Sequence, residues 1–65
     1  MPNITVELLE GRTQSQRRRF VERVTEAAVE CLDARPESVR IVLVEIKPTD
    51  VANGGVFEVD RPRSH

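Results

Sequence analysis

Two strand-like runs flank one long helical stretch, and that order leaves a chain of 65 residues few ways to fold. In the first run, Asn3 to Leu9 (NITVELL), Ile4, Val6 and Leu8 alternate with Thr5 and Glu7, the period of a strand with one covered face. The second, Val39 to Ile46 (VRIVLVEI), is β-branched and apolar on both faces, the pattern of a central strand covered twice. Between them Gly11 ends the first strand, and Thr13 with Gln16 makes a T-x-x-Q capping box that opens a helix over Gln14 to Leu32. Its apolar residues Phe20, Val21, Val24, Ala27, Ala28, Cys31 and Leu32 recur at threes and fours and form one stripe. Arg18 and Glu22 are spaced to pair on the charged side. Pro36 is expected to stop the helix, because proline cannot continue it and disfavours helical geometry at Arg35. Strand, helix and strand predict an α/β (α+β) fold built on a βαβ unit, with parallel strands and a right-handed crossover. After it, Pro48 to Asn53 reads as a loop, Gly54-Gly55 as a tight turn, Val56 to Val59 as a short strand and DRPRSH as a polar tail.

A single domain of this size buries only about 60% of its unfolded surface, so one copy alone is marginal. Disulfides, metal ions or oligomerisation normally compensate. Cys31 is the only cysteine, which excludes a disulfide within the chain, and the only histidine is the terminal His65, which argues against a metal site. Oligomerisation remains. An apolar content of 38%, with two Phe and no Trp or Tyr, makes a thin core and predicts apolar surface shared between copies. The net charge of −1 provides no global attraction to nucleic acid or membrane. No apolar run approaches the roughly 20 residues of a membrane span, and no segment reads as a signal peptide. The default location is therefore the cytoplasm, a reducing compartment with which a lone thiol is compatible.

Few residues offer chemistry. Pro2 stands directly behind the initiator methionine; removal of Met1 would free a secondary amine, a base whose pKa falls when it is desolvated or placed near cations. Arg40 opens the second strand and Arg12 follows the first. If the strands are parallel neighbours, Pro2 and Arg40 share one end of the sheet, while Arg12 lies roughly 30 Å away at most along an extended run. A neighbouring copy is then the natural source of the missing arginine. Arginine binds carboxylates bidentately and stabilises a developing oxyanion. Arg17-Arg18-Arg19 lacks the aromatic platforms of a single-strand binder and reads as a solvated face. Cys31, within the helix stripe, reads as a small core residue rather than a nucleophile.

The amino-terminal Met-Pro, the strand ending LLEGRT, the capped helix, SVRIVLVEI and the late Gly-Gly together resemble the small-subunit 4-oxalocrotonate tautomerases over nearly the whole chain. The resemblance implies a βαβ protomer with a short C-terminal hairpin, dimers whose sheets join, and a hexamer formed as a trimer of those dimers. It implies a cofactor-independent, metal-free keto–enol isomerase acting on a small carboxylate substrate, with active sites that borrow residues across subunits and a place in the degradation of aromatic compounds. Pro2 matches the catalytic base. Arg40 matches the arginine that engages the 2-hydroxy or 2-oxo group and its neighbouring carboxylate. Arg12 matches the arginine that holds the distal carboxylate.

One position departs from that pattern. Val51, in TDVANGG, stands where the family carries a Phe or Trp that walls the substrate site. Valine is smaller and admits water, and a carboxylate such as the adjacent Asp50 raises the pKa of an amine it approaches. Phe57, beyond the turn, is the aromatic available to fill the gap. The departure motivates a second reading, a non-catalytic oligomeric binding protein that kept the fold.

Overall fold

The computed structural model describes residues 1–62 of the chain. β1 (Asn3–Leu9) and β2 (Arg40–Ile46) form a two-stranded parallel sheet, joined by α1 (Gln14–Leu32). A second small sheet pairs β3 (Ala52–Asn53) with β4 (Val56–Phe57) antiparallel across Gly54-Gly55. The expected βαβ unit with a C-terminal hairpin is thus present.

Local chemistry accounts for the boundaries. Gly11 takes a φ of 116°, open to glycine and strained for other residues, and so releases the chain from β1 into the helix. Both halves of the capping box are made: the Gln16 amide donates to Thr13 Oγ1 at 3.1 Å, and the Thr13 amide donates to Gln16 Oε1 at 2.9 Å. The helix ends earlier than the proline requires. Asp33 turns left-handed at φ 55°, ψ 37°, and Pro36 instead starts a 3-10 turn over Pro36–Ser38. Gly54 and Gly55, at φ 62° and 81°, supply the two positive angles the hairpin turn needs. The strand expected over Val56 to Val59 is shorter: Glu58–Asp60 is a 3-10 turn, as is Pro48–Asp50 within the expected loop.

The parallel register pairs Asn3 with Arg40, Val6 with Leu43 and Leu8 with Glu45. Ile41, Leu43 and Glu45 therefore share the face on which Arg17 of α1 meets Glu45 at 3.3 Å. Arg40, Val42, Val44 and Ile46 take the other face. No helix among the described residues covers that side, and Val44 remains 38% exposed. The double cover expected for β2 is absent within one chain, because the chain has a single long helix and it lies on one face.

Ala28 is the only buried apolar residue among those described. Phe20, Ala27, Cys31 and Leu32 are exposed, so the helix stripe is wider than a two-stranded sheet can cover, and Cys31 is not the core residue its spacing suggested. Val56, Phe57 and Val59 are exposed as well. The segment from Pro48 to Asp60 packs mainly on itself, and the chain is elongated, 41 × 24 × 17 Å. Its radius of gyration is 14.8 Å, against about 11 Å for a compact chain of this length. The tail residues 63–65, His65 among them, lie outside the described residues. No described helix is long and apolar enough to cross a membrane.

Candidate active site

In a parallel pair, the residues that precede the second strand lie beside the start of the first. The Arg40 amide accordingly donates to the Pro2 carbonyl at 3.0 Å, which continues the ladder one residue past β1. The two residues singled out at this end, Pro2 and Arg40, are neighbours in the fold. Pro2 is half-buried and its nitrogen is bonded to Met1, which is 91% exposed. Pro2 borders a cavity of about 460 Å³, and the remaining walls come from Met1, from Leu32 at the end of α1, and from Asp33, Ala34, Arg35 and Ser38 in the segment between α1 and β2. Arg40 is exposed and lies on the sheet face turned away from α1.

Arg12 lies at the opposite end. The Glu10 amide still donates to the Ile46 carbonyl at 3.0 Å, so the chain stays extended to the far edge of the sheet before Gly11 turns it. There Arg12 borders a smaller cavity of about 230 Å³ with Gln16, Arg17, Phe20, Val6, Leu8 and Leu43. The two cavities share no residue. Val51 belongs to neither; it follows β2 beyond the far end, is half-buried, and its carbonyl accepts the Glu58 amide at 2.9 Å. Phe57, the aromatic that stood nearest to replace the missing ring, pairs with Ala52 and is 47% exposed. One chain therefore joins Pro2 to Arg40 through their backbones, leaves Arg40 outside the cavity that Pro2 borders, and keeps Arg12 and Val51 apart from both.

Two features escaped the sequence reading. Asp33, Arg35 and Ser38 wall the Pro2 cavity, and only the parallel register, which lays this loop beside Pro2, could have pointed to them. Arg17, read as part of a solvated run, turns inward toward Glu45, and its Nε is buried with no hydrogen-bond partner among the described residues. Arg18 and Glu22 form no ion pair among the described residues; Arg23 pairs with Glu26 at 3.4 Å instead.

Comparisons with known proteins agree with this architecture. Residues 2–61 match the family model described as tautomerase enzyme. The chain is 42% identical over 55 residues to the 2-hydroxymuconate tautomerase of Bacillus subtilis, an alignment covering 85% of this chain and 89% of that protein. Among solved structures, a 4-oxalocrotonate tautomerase isozyme from Methylibium petroleiphilum superimposes with a TM-score of 0.87 at 41% identity, covering 89% of this chain and 91% of that one. A heterohexamer 4-oxalocrotonate tautomerase from Chloroflexus aurantiacus superimposes with a TM-score of 0.87 at 27% identity, covering 92% and 97%. By sequence, strand order and hairpin alike, the chain belongs to the tautomerase enzyme family, among the 4-oxalocrotonate tautomerases.

Proposed function

We propose that the protein, once Met1 is removed, catalyses enol–keto conversion of a small 2-hydroxy-dienoate or related 2-oxo acid, with the Pro2 amine as general base. The observation that carries this reading is the position of Pro2: half-buried at the edge of a cavity of about 460 Å³, with the backbone of Arg40 bonded to its own. A free proline nitrogen there takes the proton from the enol hydroxyl. The electron pair moves through the conjugated chain as the 2-oxo group forms, and the proton is returned to a distant carbon. The carbonyl itself is the electron sink, so the reaction calls for no metal or organic cofactor. Arg40 engages the 2-hydroxy or 2-oxo group and its carboxylate, where a guanidinium fork stabilises the developing oxyanion.

Arg12 holds the distal carboxylate from another copy of the chain. The separation of the two cavities and the exposed Phe20, Leu32, Val44, Phe57 and Val59 support assembly of several copies. The heterohexamer among the structural relatives is a precedent for a hexamer, which we take as the working assembly. Assembly also brings a neighbouring Val51 within reach of the site and covers the open face of β2.

The test is ketonisation of 2-hydroxymuconate and of phenylenolpyruvate by protein shown by mass spectrometry to begin at Pro2. Turnover of either acid, lost in Pro2→Ala with the assembly intact, supports the enzyme. No turnover of either removes these substrates. The smaller Val51 favours one rival, a non-catalytic oligomeric binder, for which Pro2→Ala would change nothing.

A further inference from the structure

The loop between α1 and β2 carries a cation that the proposed mechanism does not use. Arg35 walls the Pro2 cavity. It has no ion-pair partner among the described residues, whereas Arg17, Arg23 and Arg61 are each paired with a glutamate. Its backbone is held in place: the Arg35 carbonyl accepts the Ser38 amide at 3.0 Å and the Ser38 hydroxyl at 2.9 Å, and Pro36 follows directly. A hydrogen-bonded turn therefore sets into the wall of the cavity that holds the proline an arginine with no ion-pair partner among the described residues. The one carboxylate in the same wall, Asp33, sits at the left-handed end of the helix and forms no ion pair with Arg35.

We propose that Arg35 is a substrate-anchoring residue of the Pro2 site, holding the carboxylate of an anionic substrate from within the protomer that carries the proline. The proposal rests on the functional reading above and extends it to substrate class. Arg12 must come from another copy, so it serves a second, distal carboxylate. Arg35 needs no other copy, and it provides a cation in the wall of the Pro2 cavity itself, a wall that does not include Arg40. Monocarboxylate 2-oxo acids therefore fall within the site's range, and Asp33 opposes every anion that enters it.

The experiment uses the assembled protein beginning at Pro2, with Arg35→Ala, Arg35→Lys and Asp33→Asn. Ketonisation of phenylenolpyruvate and 2-hydroxymuconate is followed, and binding of phenylpyruvate is measured by calorimetry as a readout independent of turnover. Arg35→Ala is expected to raise KM for both acids and Kd for phenylpyruvate by about tenfold or more, with kcat changed by no more than about twofold. Arg35→Lys recovers part of the loss, and Asp33→Asn leaves affinity equal or tighter. Unchanged affinity in Arg35→Ala, a loss in Asp33→Asn as large as that in Arg35→Ala, or no phenylpyruvate binding by the unsubstituted protein overturns the proposal. Binding that depends on Arg35 without any ketonisation would leave the anchor in place and remove the tautomerase reading.

Discussion

Subunits carrying Pro2→Ala and subunits carrying Arg12→Ala, each nearly inactive alone, are expected to regain turnover when assembled together. β1 runs from Asn3 to Leu9, about 20 Å of extended chain, and Pro2 and Arg12 lie beyond its two ends in cavities with no common residue. One side chain does not close that distance, so an intact site draws its proline and its distal arginine from different chains. Removing the base costs about 10²- to 10⁴-fold. Removing one charge-assisted carboxylate contact costs about tenfold or more. In a one-to-one random mixture, about half of the sites take Pro2 from an Arg12→Ala chain, and about half of those take the arginine from a Pro2→Ala chain. About a quarter of sites are then whole in a symmetric assembly. The assay is ketonisation of 2-hydroxymuconate, a dicarboxylate that needs the distal contact, after the two variants are denatured and refolded together. Recovery near a quarter of the original rate is the expected result. Activity no greater than the average of the two parents would refute the cross-copy site, because every chain would then hold one defect in each site.

Other consequences are simpler to measure. Thr13→Ala removes the acceptor for the Gln16 amide and half of the capping box; it should cost about 1 kcal/mol and lower the melting temperature by about 4–8 °C for a domain of this size, read by circular dichroism at fixed protein concentration. Gly11→Ala meets no atom within 4 Å of the added carbon, so its cost is backbone strain at φ 116° alone. That strain is about 1–3 kcal/mol; a melting curve unchanged from the parent would show that the turn relaxes freely. Phe20→Glu alters a side chain that is 42% exposed in the single chain, yet it should split the assembly into smaller species on size-exclusion chromatography; an unshifted elution volume would place Phe20 outside any interface. Protein that retains Met1 keeps Pro2 as an amide, and should show no ketonisation until the methionine is removed.

The elements that depend on near neighbours in the chain were legible in the sequence. The Thr13–Gln16 box, the alternation through NITVELL and the two glycines of the hairpin each act over a few residues, and β1, α1 and the turn appear where those signals place them. The adjacency of Pro2 and Arg40 was legible too, because a βαβ crossover forces parallel strands and parallel strands align their starts.

What lies across space was not. Periodicity marks Cys31 and Phe20 as apolar-face residues but cannot say how wide a surface waits beneath them, and a two-stranded sheet is too narrow to cover both. A charge run looks the same whether it faces water or reaches inward, so only the packing of α1 on the sheet separates Arg17, turned to Glu45, from Arg18 and Arg19. Likewise the step from Asp33 to Ser38 reads as an ordinary connection until the tertiary fold sets it against Pro2. The sequence by itself determined β1, α1, β2 and the Gly54-Gly55 turn, their order and the parallel pairing, because hydrogen-bonding geometry and capping are local. The tertiary structure decided which side chains share a cavity, because that depends on distances between segments far apart in the chain.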